Sequence, residues 1–245
     1  MPRHDARSTP SAQSLPAAFQ QAFITVDLVI FTILDADVKV LLIQRRAEPF
    51  LGGWALPGGF LRSDEAGGAG EDLEAAARRE LKEETGLSPE RIYLQQLGAY
   101  GRPDRDPRGR VLSVAYYALL RPDLAPFVAA GGDAANATWH SLSELDRITL
   151  AFDHGEMIRD ARSRLVESLG AGDIAFELVP PTFTIPELRA VYDVITGKSH
   201  DPGNFRRKVQ AMVGDGAIEQ APGKRITGGK PAAVYRFVAG GDRSS

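Results

Sequence analysis

The chain contains 245 residues, of which 43% are hydrophobic and 25% charged, and these proportions are ordinary for a soluble globular protein. The absence of cysteine excludes a disulfide framework and thiol chemistry. The sequence has no run of about eighteen apolar residues and no signal-peptide layout, so we expect a cytoplasmic protein without a membrane partner.

The formal net charge of −3 conceals a division of the chain into an acidic and a basic part. Between residues 198 and 236, eight Lys and Arg stand against three acidic residues, a local charge of +5 that leaves −8 for the remainder. This division predicts two domains with different partners. Glycines and prolines interrupt the helical pattern near Leu169–Pro181. We therefore expect a disordered tail at residues 1–20, a first domain at 21–171 and a second at 172–240.

The first domain begins with strands. Apolar, β-branched runs at Ile24–Ile33 and Val38–Arg45, separated by a short polar turn, predict a hairpin. A helix is predicted over residues 71–85, ending at Gly86, which can adopt the left-handed conformation. Further strands are predicted at Ile92–Tyr100, Val111–Leu119 and Ala137–Ser141, and a second helix at Phe152–Leu169.

The first helix carries three carboxylates at spacings n, n+3 and n+4. Glu80, Glu83 and Glu84 project from one helix face, about a turn apart. Like charges so close together cost free energy unless a positive group lies between them, and Mg²⁺, which takes oxygen ligands and bridges to phosphates, is a suitable partner. A solvated acidic helix face is the alternative interpretation. Upstream, Gly58 and Gly59 allow the backbone to approach a phosphate closely.

The pattern Arg79-Glu80-Leu81-x-Glu83-Glu84-x-Gly86-Leu87, preceded by Trp54-Ala55-Leu56-Pro57-Gly58-Gly59-Phe60, resembles the Nudix box. That family cleaves or binds nucleoside diphosphates linked to another moiety. The resemblance implies an α/β/α sandwich around a mixed sheet, with Mg²⁺ held by Glu80, Glu83 and Glu84 and with Arg79 orienting a carboxylate. Eleven residues separate Gly59 from Glu71, more than in the family pattern, and we expect the extra residues in a surface loop within Ser63–Gly70.

The segment 102–110 holds four arginines. Guanidinium groups bind phosphates through two parallel hydrogen bonds, whereas a solvated hairpin tip with internal Arg–Asp pairs is the alternative. Residues 105–109 and 113–117 are similar to ADP-ribose-type Nudix proteins and their regulatory relatives, in which residues 151–154 also recur. The candidate ligand-binding residues are therefore Gly58, Gly59, Arg79, Arg105 and Arg108. Phe50 and Trp54 are candidates either for stacking on a base or for core packing, and we expect His154 to cap or pack a helix start.

The second domain is predicted to contain a helix-turn-helix. Thr184 with Glu187 forms a capping box at the start of a helix that ends at Gly197. Asp201-Pro202 then begins a second, basic helix. Strands at 217–219 and 233–237, around a hairpin at 220–232, predict the wing of a winged helix.

Two segments of this domain, Phe183-Thr184-x-x-Glu187-Leu188-x-x-Val191-Tyr192 and Asn204-Phe205-Arg206-Arg207-Lys208, resemble the NrtR family of Nudix-related transcriptional regulators of NAD metabolism. The resemblance implies a homodimer that binds a palindromic operator in double-stranded DNA, represses NAD biosynthesis or salvage genes, and senses ADP-ribose or a related NAD metabolite. The implied DNA-binding residues are Asn204, Arg206, Arg207, Lys208, Lys224, Arg225 and Lys230.

Two alternatives stay open at the level of the sequence. The first is an active Mg²⁺-dependent hydrolase of the ADP-ribose pyrophosphatase type, with a regulatory C-terminal module. Its catalytic residues would be Glu80, Glu83, Glu84 and Arg79. The second is a winged helix that binds protein or mediates dimerisation and carries a solvated basic face.

Overall fold

The computed structural model describes residues 21–63, 70–128, 137–171, 174–227 and 230–238. The expected N-terminal tail and most of the expected surface loop within 63–70 lie outside these residues.

Within the described residues, the first domain is built on one mixed sheet of seven strands. The strands are β1 (Phe23–Leu34), β2 (Asp37–Gln44), β3 (Trp54–Ala55), β4 (Gly58–Phe60), β5 (Tyr93–Tyr100), β6 (Val111–Leu119) and β7 (Thr138–Ser141). Their order is β3-β2-β1-β6-β5, while β4 pairs with β1 and β7 pairs with β2. Strands β1 and β6 are parallel, whereas the other pairs are antiparallel. The predicted mixed sheet is therefore confirmed.

Strand β1 is buried on both faces because helices cover both sides of the sheet. Its alternate residues point to opposite faces. Leu28 and Ile30 join the apolar cluster of α1 (Leu73–Thr85), while Val29 and Phe31 join that of α2 (His154–Ala171). These two helices complete the α/β/α sandwich. No helix in the described ranges is long and apolar enough to cross a membrane.

Local capping explains where the helices of the first domain begin and end. The side chain of Asp72 accepts hydrogen bonds from the first backbone N–H groups of α1, and Gly86, at φ +70°, ends it as predicted. Helix α2 starts two residues later than predicted, because Phe152 has a φ of +52°, which is outside the helical region.

The second domain is a winged helix. Its helices are α3 (Ile185–Thr196) and α4 (Pro202–Gly214), and its three-stranded sheet is formed by β8 (Phe183–Thr184), β9 (Ile218–Thr227) and β10 (Lys230–Phe237) in the order β8-β10-β9. The capping box is present, with the Thr184 N–H donating to Glu187 at 2.7 Å. The predicted wing hairpin is present, and its two strands are longer than expected because they continue into residues 220–232. Backbone pairing between β9 and β10 extends to Thr227 and Lys230, although these residues lack apolar alternation.

The two domains share one hydrophobic core. The C-terminal half of α2, the 3-10 turn Ile174–Leu178 and the inner face of α3 pack in a single apolar cluster, through Leu165, Phe176, Leu188 and Ile195 among others. The expected domain boundary near Leu169–Pro181 therefore falls on a packed segment rather than on an exposed linker. The winged helix is fixed to the first domain by buried apolar contacts.

This shared core predicts that damage to α2 reaches the winged helix. Leu165 is fully buried, so Leu165→Ala is expected to lower the free energy of unfolding by about 2–5 kcal/mol. Urea unfolding followed by the fluorescence of Trp54 and Trp139 reports the first domain, and hydrogen exchange of α4 reports the second. Val166→Ala, at a position that is 39% exposed, is the matched control. Unchanged exchange in α4 would contradict a shared core.

Candidate functional site

A cavity of about 180 Å³ lies where β1, β4, the arginine-rich segment and the start of α2 meet. Four of the five predicted ligand-binding residues line it, namely Gly58, Gly59, Arg105 and Arg108. Arg79 is not among the lining residues. The cavity also includes residues that the sequence pattern did not single out as ligand-binding, among them Asp27, Arg45, Phe60 and Phe152.

Guanidinium groups and aromatic rings alternate on one side of this cavity. The Arg108 guanidinium lies 5.3 Å from the centre of the Phe60 ring and 5.5 Å from that of Phe152. The Arg45 guanidinium lies 4.8 Å from the centre of the same Phe152 ring, and the Phe50 ring packs edge-to-face against it with the two ring centres 4.9 Å apart. Cations bind diphosphate oxygens, and aromatic faces stack on bases. The chemistry of this side therefore suits a nucleotide.

The two aromatic residues considered for base stacking have different positions. Phe50 is exposed beside Phe152, as a stacking residue would be. Trp54 instead packs against the core, with its ring 4.4 Å from that of His140. Phe152 lies in the segment 151–154, and its recurrence in regulatory relatives was the available signal for its importance.

Arg105 is buried and does not present a free guanidinium to the cavity. Its side chain is 3% exposed, and it donates to both carboxylate oxygens of Asp153, at 2.7 Å from Nη2 to Oδ1 and at 3.1 and 2.9 Å from Nε to Oδ1 and Oδ2. Asp27 lies 3.8 Å from the same guanidinium and accepts a hydrogen bond from Ser113. Arg105 therefore holds the start of α2 to β1. Arg108 also has a carboxylate partner, since its Nε and Nη2 donate to Asp106 at 3.0 and 2.7 Å, but its side chain stays partly exposed at the cavity.

His154 is a buried, neutral packing residue. The backbone N–H of Leu56 donates to its Nδ1 at 2.8 Å, so this nitrogen carries no proton, and its Nε2 faces Asp27 at 3.6 Å. Burial is the main reason that the pKa of His154 lies below its ordinary value. The expectation that His154 packs a helix start agrees with this position.

Arginines lie between the carboxylates of α1. Arg79 donates to Glu71 at 2.5 and 2.9 Å, to Glu80 at 2.5 Å and to Glu83 at 3.1 Å, while Arg62 donates to the other oxygen of Glu83 at 2.9 Å. Arg79 thus donates hydrogen bonds to three carboxylates at once. A Cβ at residue 59 would overlap the Glu80 carboxylate, so a larger residue there would displace that side chain.

The carboxylates have the donor chemistry of a divalent cation site. Glu80, Glu83 and Glu84 offer oxygen ligands, and burial raises the pKa of Glu80, which favours a positive group beside it. In the described parts of the chain, however, no group of three or more acidic or histidine side chains converges to hold a metal. Arg79 and Arg62 instead neutralise Glu80 and Glu83. The residues therefore fit such an ion chemically, in competition with these arginines.

A second candidate surface lies on α4. Phe205 and Val209 are buried against the rest of the winged helix, so the opposite face is exposed and carries Asn204, Arg206, Arg207 and Lys208. Arg207 donates a hydrogen bond to Asn204 on the same helix. The Lys208 ammonium lies 4.1 Å from the centre of the Tyr192 ring, and burial there lowers its pKa. The predicted basic helix thus exposes a polar, positively charged face.

The predicted basic residues of the wing have different surroundings. Lys224 on β9 and Lys230 on β10 are exposed. Arg225 is half-buried, and its guanidinium donates to Glu187 and Thr182 at the start of α3. Arg225 therefore differs from Lys224 and Lys230, with which the sequence analysis grouped it, because its guanidinium is engaged within the winged helix.

Comparison with known proteins agrees with this geometry. Residues 25–161 match the NUDIX domain family, and residues 175–237 match the family of the NrtR DNA-binding winged helix domain. The chain is 33% identical over 228 residues to the ADPR responsive transcriptional repressor NtrR of Acinetobacter baylyi, which covers 93% of this chain and 86% of that protein. It is also 44% identical over 128 residues to an ADP-ribose pyrophosphatase of Methanocaldococcus jannaschii, covering 52% of this chain and 68% of that protein.

Solved structures are similar over both domains. Shewanella oneidensis NrtR in complex with a 27mer DNA has 35% sequence identity and a TM-score of 0.73, covering 88% of this chain and 93% of that one. The NUDIX domain of the same protein in complex with ADP ribose has 38% identity and a TM-score of 0.51, covering 63% of this chain and 95% of that one. The chain therefore belongs to the NrtR family, in which a Nudix domain is joined to a DNA-binding winged helix.

Proposed function

We propose that this chain is a cytoplasmic transcriptional repressor of NAD biosynthesis or salvage genes. It binds operator DNA through α4 and the wing, and ADP-ribose or a related NAD metabolite in the cavity of the Nudix domain releases it. One observation carries the proposal: an exposed basic helix and a cavity suited to a nucleotide are joined by a single buried core.

The residue types on the winged helix suit double-stranded DNA. Asn204, Arg206 and Arg207 lie on the exposed face of α4, and such side chains read base edges when a helix enters the major groove. Lys224 and Lys230 on the wing suit phosphates, which contribute salt-dependent affinity without much sequence choice. The Shewanella relative crystallised with DNA supports this part of the proposal.

The cavity suits ADP-ribose. Arg108 and Arg45 offer positive charge for a diphosphate, Phe152 and Phe60 offer aromatic faces, and the backbone of Gly58 and Gly59 lines the same cavity. The relative's NUDIX domain crystallised with ADP ribose supports this effector.

A palindromic operator requires two-fold symmetry, so we infer a homodimer that places two winged helices on successive half-sites. The effector must bind the DNA-bound and released arrangements with different affinity, and such couplings are typically about 1–3 kcal/mol. The packed core between α2 and α3 allows a change at the cavity to alter the position of α4.

Replacing Arg206 and Arg207 together with alanine tests the DNA interface. Because each base-reading arginine is worth about 1–3 kcal/mol, the double variant should bind operator DNA about 100-fold more weakly or not at all. Gel shift measures this loss, while calorimetry should show unchanged affinity for ADP-ribose. The matched control removes two exposed arginines from α2, Arg162 and Arg164. Unchanged operator affinity in the Arg206/Arg207 variant would refute the assignment.

Replacing Arg108 with alanine tests the effector site. Loss of its charge-assisted hydrogen bonds should weaken ADP-ribose binding about 10- to 100-fold, as measured by calorimetry, without changing operator affinity in the absence of effector. Arg102→Ala is the control, since this arginine of the same segment is exposed and lies 3.9 Å from Glu156. Equal effects of the two substitutions would place the effector elsewhere.

An active hydrolase is the second candidate function, favoured by the complete set of Nudix-box carboxylates and by the similarity to a pyrophosphatase. Glu80, Glu83 and Glu84 would hold Mg²⁺, and Arg79 would orient them. A bound Mg²⁺ would neutralise charge on the diphosphate.

Incubation with ADP-ribose and Mg²⁺ separates the two functions. For a sensor, we expect turnover far below the roughly 1 s⁻¹ of ordinary enzymes, because Arg79 and Arg62 compete with the cation for Glu80 and Glu83. Product release is followed by chromatography for the wild type, Glu83→Gln and the exposed-site control Glu167→Gln. Turnover at an ordinary rate that only Glu83→Gln abolishes would establish the enzyme.

A further inference from the structure

The carboxylate of Glu187 serves two elements of the winged helix at once. Its Oε2 accepts the Thr184 N–H at 2.7 Å and so caps α3. The same carboxylate accepts two hydrogen bonds from Nη1 of Arg225, at 2.8 and 3.0 Å. Nη2 of Arg225 donates to both the carbonyl and the hydroxyl oxygen of Thr182, each at 3.0 Å. One arginine of the wing is thereby tied to the entry of α3 by four hydrogen bonds.

This contact lies in the outer half of the wing, beyond an interruption of its strand pairing. Val234 pairs with Ala221, but the preceding residue, Ala233, pairs with Lys224, so Pro222 and Gly223 stand outside the regular register. Pro222 also lacks an N–H group for the ladder. The regular ladder is therefore interrupted between the outer and the inner half of the wing.

Packing beneath the outer wing is also incomplete. A cavity of about 370 Å³ separates its strand β10, at Ala232 and Ala233, from Ile185 and Pro186 at the start of α3. Side chains do not fill this space, so apolar contacts alone do not fix the distance between the wing and the helices. Arg225 lies opposite Ala232 on the neighbouring strand β9, and its hydrogen bonds connect the wing to the same helix start.

We propose that Arg225 is a positioning residue that clamps the wing to the start of α3, and that it does not bind a DNA phosphate as the family resemblance implies. The clamp sets where Lys224 and Lys230, the exposed lysines on either side of the wing, meet the DNA backbone. The proposal rests on the proposed DNA-binding function, and it assigns Glu187, an acidic residue, a favourable role in DNA binding.

Under this proposal, Glu187→Gln weakens DNA binding, although it removes a negative charge from a DNA-binding domain. Removing a negative charge from a DNA-binding domain should tighten binding if charge alone matters. If Glu187 holds the wing through Arg225, the same substitution should weaken binding, because the lysines of the wing lose their phosphates. The glutamine retains an oxygen that can accept the Thr184 N–H, so the cap of α3 is preserved.

The test uses the full chain and a duplex operator selected by the wild-type protein from random DNA, with affinity measured over a range of salt concentrations. Glu187→Gln and Arg225→Lys should each weaken binding about tenfold and lower the magnitude of the salt slope by about one to two, the loss expected for one or two phosphate contacts. In a Lys224→Ala/Lys230→Ala background, neither substitution should weaken binding further. Tighter binding by Glu187→Gln, or near-wild-type binding by the charge-retaining Arg225→Lys, would overturn the clamp in favour of a direct phosphate contact.

If the wild type binds no DNA, the proposed function fails, but the clamp can still be tested. The test is then hydrogen exchange of the DNA-free protein. Peptides from residues 218–227 should exchange faster in Glu187→Gln and Arg225→Lys than in the wild type, whereas Lys224→Ala should leave exchange unchanged. Equal exchange in all four proteins would refute the clamp. Thermal unfolding at an unchanged midpoint excludes general destabilisation as the cause.

Discussion

Burial of α2 on two surfaces is the constraint on which the rest of the structure depends. Met157 and Ile158 pack against the sheet, while Leu165 and Leu169 lie in the same cluster as the residues of α3. Each fully buried apolar side chain contributes about 1.5–3 kcal/mol of stability. Separating the helix from either surface therefore costs several kcal/mol of free energy. Close-packed interiors shift between discrete arrangements rather than deforming gradually. In the proposed switch, this packing is the route from the start of α2, where Asp153 and His154 line or adjoin the cavity, to the winged helix.

Arginine has several distinct physical roles in this chain. Arg79 and Arg105 saturate carboxylates inside the Nudix domain, and Arg225 does so at the edge of the winged helix. Arg206 remains exposed on α4, whereas Arg108 lies over two aromatic rings and donates through Nε and Nη2 to Asp106 while its side chain stays partly exposed at the cavity. Composition and local charge do not separate these classes, since a guanidinium group has the same donors in each. The fold decides which carboxylate or ring each guanidinium meets and how exposed it stays.

Helix α1 carries the carboxylates of the Nudix box, and arginine side chains pair with two of them. Three carboxylates on one face would repel each other, and either a divalent cation or arginine side chains relieve that repulsion. Here Arg79 and Arg62 provide positive charge at two of the three. Internal neutralisation of this kind stabilises the helix without a metal ion and leaves the cavity on the other side of Gly59 free to bind a ligand.

The sequence by itself determined the elements whose signals are local. The capping box of α3, the left-handed glycines that end α1 and α3, the carboxylate face of α1 and the basic face of α4 all depend on residues within about a turn of each other. Only the tertiary structure decided which side chains those faces meet. Arg105 pairs with Asp153 across 48 positions, Leu56 with His154 across 98 and Arg225 with Glu187 across 38. Partners so distant in sequence are brought together by the sheet topology and the shared core, and for that reason the ligand-binding role expected of Arg105 and the DNA contact expected of Arg225 were not resolved by local pattern.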